Sequence, residues 1–592
     1  DREELNNYYK SIYNCISIVD DKLIIDFALY DIKEKLYVLN IKYNDCNLYK
    51  IAEDKLFINN YCICPLSKLL LIIDSINIVK DDYIEIYGHM EYIPNVLEKV
   101  FITQNDKKYE FEYYELDKTT KKIFSLGYPH QFNVVGIYSK LKIEQGTINI
   151  IGMNLNNNSF NMNFEFSKTE YFNNEFLNLY FKTDNYYLKN NKKNIIVYKR
   201  NILNSFYLEL GLILGLIVRK RFINLFYHCM AKLYGIFRRK EIWIVSDRIN
   251  MASDNGEAFF DFLMSKKKLG VKYYFVISKN CQDYVRLKKK YKNHLVANKT
   301  LKHKLLHFNA SKIISSHADD YVTNIVGKGK IYNADLYRFK FIFLQHGIIK
   351  DDLSPWLSVN RRKIDLFITS SKLEYDSMVS KEYHYNYPNE IFKLTGLARY
   401  DKLMSDNCND INGENIILLM PTWRFWLVSG LNPKTGKRIY NEKFKETEYF
   451  KFYNSLINDK RLTKVLSEKG YKIRFIPHIN MFQQLTDFES NDYIEFASDS
   501  VNYEKEFKQG KILITDYSSV FFDFAYLGKP VVYCQFDYDT FFKGQIYDKG
   551  YFSYEKDGFG PICYSVDQTV DELIKLINSE HRIKKQYLDS CL

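Results

Sequence analysis

From Glu241 onward the sequence alternates short, almost unbroken apolar runs with amphipathic stretches, and this alternation constrains the fold more than any other feature. The first series comprises Ile242–Asp247 (IWIVSD), Tyr273–Ser278 (YYFVIS), KIISS, KFIFLQHG and DLFITSS, and GEAFFDFLMSKKK between the first two has helical spacing. A second series follows: IILLMPTW from Ile416, KIRFIPH from Lys472, DYIEFA from Asp492, KILITDYSS from Lys511 and PVVYC from Pro530. Strands this apolar need cover on both faces, which intervening helices supply, so each series predicts a parallel, doubly wound sheet. Two series predict two Rossmann-like domains of α/β class, with a cleft between them and ligands at the carboxyl ends of the strands.

Residues 1–198 carry a different pattern. KLIIDFALY, KLYVLNIKY, YIEIYGHMEYI, KVFITQ, KYEFEYYEL, LKIEQGTINIIGM and FNMNFEF are β-branched or aromatic and are divided by Asn, Asp, Lys and Gly. They predict an all-β, sandwich-like region of one or two units. His89 and His130 stand alone there, and each is read as a packed or surface histidine. Residues 199–240 form a basic, amphipathic linker in which the apolar run Phe206–Val218 is followed by Arg219-Lys220-Arg221 and later by Arg238-Arg239-Lys240. The run is shorter than the roughly 20 residues a spanning helix needs and contains Glu209, so it is not expected to cross a bilayer. A helix at an anionic membrane surface and a helix packed on the next domain both fit. The two sheets are assigned to 241–388 and 389–592.

The net charge of +12 favours anionic partners without choosing among nucleic acid, acidic lipid and phosphate-bearing substrates. Ten scattered cysteines, with Cys62-x-Cys64 lacking a second pair, argue against a zinc site and for reduced thiols. No signal peptide opens the sequence, which begins at Asp1 and not at methionine, as expected of a fragment of a longer protein.

The strand exits hold the chemistry. They read Ser246-Asp247-Arg248, Ser315-Ser316-His317, Gln345-His346-Gly347, Pro421-Thr422-Trp423-Arg424, Pro477-His478 and Thr515-Asp516-Tyr517-Ser518-Ser519, where ordinary turn formers would suffice for structure alone. Ser518 and Ser519 precede SVFFDFAYLG, a predicted helix stopped at Gly528, and suit either a phosphate site or a simple N-cap. Arg424 is a fork-shaped cation suited to diphosphate, or else a salt-bridge partner. His478 is a phosphate contact, an acid for a leaving group, or a packed histidine. His346 is a base at the rim of a cleft or a buried residue.

ASDNGEAFFDFL, FLQHG, LTGLARYDKL, LLMPTWR, IPHIN and LITDYSSVFFDFAYLGKPVV occur in that order from about Glu241 to near the end of the chain. Together they resemble the CDP-glycerol glycerophosphotransferase family, the teichoic-acid and related capsule polymerases. The resemblance implies a GT-B architecture and transfer of glycerol or ribitol phosphate from a CDP-alditol donor to an acceptor hydroxyl, with CMP released and no metal or other cofactor. It also implies a polyol-phosphate or glycan acceptor, lipid-linked, and a peripheral place on the inner face of a bacterial membrane, with no nucleic acid involved. His346 and His478 match the family's two catalytic histidines, and His346 is assigned as the base. Gly347, Arg399, Thr422, Arg424, Thr515, Asp516, Ser518 and Ser519 fall on the donor side, and Asp254 and Asn255 on the acceptor side. Arg399 and Asp401 match a Gly-x-x-Arg-x-Asp turn, although Ala398 stands where many relatives have proline. A nucleotide-sugar glycosyltransferase and a non-catalytic module binding membrane or anionic polymer are the alternatives.

Overall fold

The computed structural model describes residues 71–92, 97–116, 133–154, 159–167, 172–266, 268–405, 415–428, 430, 438–497, 501–545, 548–584 and 587, and the backbone of strands between 24 and 65. Contacts divide the chain into two units. One comprises 1–236, 326–338 and 355–363, the other 237–325, 339–354 and 364–592.

In the first unit a five-stranded sheet centred on Tyr83–Tyr92 and a seven-stranded sheet centred on Gly146–Asn154 enclose one apolar core. Ile84, Ile86 and Ile137 meet Ile102, Ile148 and Leu188 there, as the alternating patterns of their strands require. Helix α1 (Ile202–Val218) seals this core with Leu208, Leu212 and Leu216, and α2 (Phe222–Phe237) follows it. Glu209, the one acid of the apolar run, bonds Tyr180 Oη (2.5 Å), Lys232 Nζ (2.7 Å) and His228 Nε2 (2.8 Å). Among the described residues no helix is long and apolar enough to cross a membrane. His89 is buried, with Nδ1 2.7 Å from Asp74 Oδ2, which is the packed-histidine reading. His130 lies outside the described residues.

The second unit holds two parallel sheets. The first contains β1 (Glu241–Ser246), β2 (Val271–Ile277), β3 (Leu295–Ala297), β4 (Lys312–Ser315), β5 (Lys340–Phe343), β6 (Leu366–Thr369) and β7 (Phe392–Leu394), in the order β3-β2-β1-β4-β5-β6-β7. Strand β7 pairs in this sheet although it lies beyond residue 388, because buried Phe392 registers with Phe367. The second contains β8 (Asn415–Leu419), β9 (Tyr471–Phe475), β10 (Ile494–Phe496), β11 (Gly510–Thr515), β12 (Val531–Cys534) and β13 (Ile562–Cys563), in the order β10-β9-β8-β11-β12-β13. Along β8, Ile417 and Leu419 enter one core while Ile416 and Leu418 enter another. Both faces of the sheet are therefore covered, which is why its strands are continuously apolar. These are the two Rossmann-like domains of a GT-B fold.

Candidate active site

Asp247, at the exit of β1, anchors the site. Its carboxylate accepts from the backbone N–H of Asp254 (3.2 Å), Gly256 (2.7 Å) and Glu257 (3.0 Å), capping α3 (Asn255–Lys266). Gly256 is required here: a Cβ would lie 2.4 Å from Asp247 Oδ1 and 2.6 Å from the Ser246 carbonyl oxygen. The cap places Asp254 at the head of α3, where Oδ2 meets His346 Nδ1 at 2.5 Å.

His346 follows β5 through an unusual backbone. Gln345 has φ +62°, the left-handed region that non-glycine residues rarely adopt, at a cost of about 1–3 kcal/mol. Asn255 Nδ2 holds the Gln345 carbonyl at 2.9 Å, and the Gln345 amide in turn holds the Ile368 carbonyl. The bend leaves the His346 side chain 51% exposed while Asp254 is only 12% exposed. With Nδ1 directed to Asp254, Nε2 is the ring nitrogen of His346 left to face a substrate.

Arg399 completes the alignment from α4 (Ala398–Ser405). Nη1 donates to Asp254 Oδ1 (2.8 Å) and to the His346 carbonyl (2.5 Å), while Nε and Nη2 grip Asp523 at 2.6 and 2.8 Å. Asp523 lies on α5 (Val520–Tyr526), so one guanidinium ties elements of both sheets to the His346–Asp254 pair. Burial alone would raise the Asp254 carboxyl, but the charges of His346 and Arg399 override it and hold it well below the usual range.

His478, after β9, stacks on Trp423 with centroids 5.7 Å apart and planes 19° apart. Its Nδ1 accepts from the Asn480 backbone N–H at 3.3 Å, which leaves the proton on Nε2. Burial, then the charges of Arg248 and His346, pull it down to about 3. In this setting it presents an Nε2–H donor.

Several assignments change. Arg424 is fully buried, with Nε and Nη2 on Asp537 (2.7 and 3.1 Å) and Nη1 on Asp516 (3.0 Å) and the Thr422 carbonyl (2.7 Å). Its fork ties Asp516, Asp537 and the Thr422 carbonyl together inside the second domain, and none of it is exposed to a diphosphate. Asp516 likewise accepts from the Thr422 and Tyr517 backbone N–H groups (2.8 and 2.6 Å) and from Tyr453 Oη (3.1 Å). Thr515 Oγ1 donates to the Met420 carbonyl at 2.7 Å, so Thr515 and Asp516 are framework, whereas Thr422 joins it through its backbone and its buried hydroxyl has no partner. Asn255 is also framework, since it is fully buried and its Oδ1 accepts from the Arg399 N–H at 3.0 Å. Arg399 and Asp254 align His346. Asp401 is exposed.

Ser519 is the cap residue of α5 without bonding through its side chain, while Ser518 Oγ accepts from the Val520 N–H at 3.5 Å. A Cβ on Gly347 would lie 2.7 Å from Ser519 Oγ, so this glycine admits the loop from the second sheet.

The sequence reading did not assign Asp247, Arg248, His317 or Asp523. The first three stand in the strand exits, but their roles depend on side chains from different strands. The His317 and His346 rings lie 4.8 Å apart. Asp254, His317 and His346 each offer one potential metal-ligating atom within 4.8 Å of the others. His346 Nδ1 is already engaged by Asp254, however, and both His317 nitrogens are engaged by Arg248 and Ser316.

A family model described as CDP-Glycerol:Poly(glycerophosphate) glycerophosphotransferase matches residues 226–589. The minor teichoic acid biosynthesis protein GgaB of Bacillus subtilis is 33% identical over 613 residues, covering 99% of this chain and 65% of its own length. A teichoic acid glycerol-phosphate transferase of Staphylococcus aureus is 28% identical over 192 residues, 30% of this chain and 43% of that protein. The chain therefore spans less than two thirds of either relative's length. A solved structure of the wall teichoic acid polymerase TagF aligns with a TM-score of 0.43 at 17% identity, covering 66% of this chain and 93% of that one.

Proposed function

The chain belongs to the CDP-glycerol:poly(glycerophosphate) glycerophosphotransferase family, and on that premise we propose that it transfers a polyol phosphate, glycerol or ribitol phosphate, from a CDP-alditol to an acceptor hydroxyl in teichoic-acid synthesis. The observation that carries this reading is the half-exposed His346 ring, held by Asp254, which is held in turn by Arg399. An alcohol is a poor nucleophile at neutral pH, and a positioned imidazole accepts its proton. The acceptor oxygen forms a bond to the phosphorus of the polyol phosphate as the bond from that phosphorus to the bridging oxygen breaks, and CMP leaves with the electron pair. The proton resides on His346 Nε2, and Asp254 stabilises the imidazolium. His478 Nε2–H supplies a hydrogen bond to charge gathering on phosphate oxygens.

The reaction in this reading needs no metal, and the acceptor is a lipid-linked polyol-phosphate or glycan chain. Support for a membrane-surface site comes from α1 and α2: Ile202 is 88% exposed, Phe206 68%, Val218 79% and Phe237 76%, beside exposed Arg219, Lys220, Arg221, Arg238, Arg239 and Lys240. Exposed apolar side chains flanked by clustered cations suit the inner face of an anionic bilayer. Incubation with a panel of CDP-alditols and a polyol-phosphate acceptor, with and without EDTA, tests the reaction by CMP release. Release of a nucleoside diphosphate from a nucleotide sugar overturns the donor class, and loss of activity on chelation overturns the metal-free step. Sedimentation with phosphatidylglycerol vesicles, compared with neutral vesicles, tests the surface.

A further inference from the structure

The site has lost the cation that its sequence pattern suggested, because Arg424 is enclosed by Asp516 and Asp537. Arg399 is equally occupied, with Asp523, Asp254 and the His346 carbonyl around its guanidinium. Arg248 differs from both. Its one side-chain hydrogen bond runs from Nε to His317 Nε2 at 2.9 Å, and among the described residues no carboxylate pairs with its Nη atoms.

The contact to His317 is built. Arg248 can only donate, so His317 Nε2 must accept and the ring proton sits on Nδ1. Nδ1 then donates to Ser316 Oγ at 3.0 Å, and the Ser316 hydroxyl donates to Asp247 Oδ1 at 2.8 Å. The chain ends on the carboxylate that caps α3. Burial, followed by the charges of His346 and Arg248, pulls His317 down to about 2, so the ring stays neutral and keeps this tautomer. Its lone pair is engaged, which leaves His317 no part as a base. It orients Arg248 by one edge and leaves the other edge of the fork open.

The charge of Arg248 acts on both sheets. After burial, which dominates in each case, it adds to the lowering of His317 after β4 and of His478 on the second domain, and opposes the rise of the Tyr503 hydroxyl. A partly exposed guanidinium, fixed along one edge by the ring that follows β4, is arranged for an oxyanion.

We propose that Arg248, oriented by His317, Ser316 and Asp247, is the residue that receives a phosphate oxygen of the substrate in this site. The proposal rests on the phosphotransfer reading above. The oxygen belongs to either the pyrophosphate of the donor or a phosphodiester of the acceptor, which present the same chemistry.

The test uses the full chain with Arg248→Gln and Arg248→Lys. Titration calorimetry with inorganic pyrophosphate should show affinity about 10–100-fold weaker in the Gln variant, the range for one charge-assisted contact. The unfolding midpoint should fall by no more than the loss of the single Nε–His317 hydrogen bond, because the Nη edge has no protein partner. The Lys variant keeps the charge and loses the fork, so it should fall between wild type and Gln. In turnover assays, a rise in KM for the CDP-alditol alone assigns the contact to the donor, and a rise in KM for the acceptor alone assigns it to the acceptor. Wild-type pyrophosphate affinity in the Gln variant overturns the proposal. If that variant does not fold, wild-type affinity in the Lys variant does so. If wild-type protein releases no CMP but pyrophosphate binding depends on Arg248, the reaction is wrong and the anion site stands. If CMP release is normal and indifferent to Arg248, the reaction stands and the anion site falls.

Discussion

Asp254 Oδ2 lies 2.5 Å from His346 Nδ1, and the other Asp254 oxygen lies 2.8 Å from Arg399 Nη1. The carboxylate therefore fixes both the tautomer and the orientation of a ring that is otherwise half in solvent. Replacing His346 with Ala should lower kcat by about 10²–10⁴-fold while the Kd for the CDP-alditol stays unchanged. Asp254→Asn keeps the shape but no longer stabilises the imidazolium, and a loss of about 10²-fold or more in kcat with intact donor binding is expected. Single-turnover CMP release alongside calorimetric donor titration measures both, and full turnover in His346→Ala would remove the base from the scheme.

Arg424 provides the contrast between a residue that folds the domain and one that binds its substrate. Arg424→Met leaves Asp516 and Asp537 buried without their cation and should cost about 3–5 kcal/mol of stability. Denaturant unfolding reads this directly. The protein that remains folded should keep its KM for the donor, and a large KM rise at unchanged stability would return Arg424 to the donor site.

Gly347 and Ser519 make a reciprocal test. Gly347→Ala places a methyl group 2.7 Å from Ser519 Oγ, and such overpacking costs about 1–3 kcal/mol unless the loop shifts. Adding Ser519→Gly removes the obstructing hydroxymethyl and should restore most of the lost stability and activity. A double variant no better than the single one would mean that Gly347 serves some purpose other than close approach.

The Glu209 cluster carries a pH dependence with a defined sign. Burial raises the Glu209 carboxyl, but hydrogen bonds from His228, Lys232 and Tyr180 outweigh it and hold the folded-state value well below 4.5. A carboxyl depressed on folding contributes stability that is fully present above its ordinary value and lost as pH falls toward the folded one. Thermal unfolding followed from pH 7 downward should therefore show a loss beginning near pH 5 that is smaller in Glu209→Gln. An identical acid profile in that variant would exclude Glu209 from the transition.

Much of this protein could be read from local chemistry. The continuous apolar runs specify parallel strands because residues such as Ile416 and Ile417 must both be buried, on opposite faces. Alternation in 71–199 specifies a sandwich for the converse reason, and His346 and His478 could be picked out because strand exits in such sheets border clefts. Side-chain direction was beyond that reading. The sequence around Arg424 and that around Arg248 each put an arginine after an apolar strand. Only the folded chain brings Asp537, 113 residues away, to Arg424 Nε and His317, 69 residues away, to Arg248 Nε. Which arginine is neutralised by buried carboxylates and which keeps an open edge depends on partners distant in sequence. No local pattern encodes that pairing, so the sequence by itself determined the sheets and the rim of the cleft, and the tertiary structure decided which charges at that rim are available to a substrate.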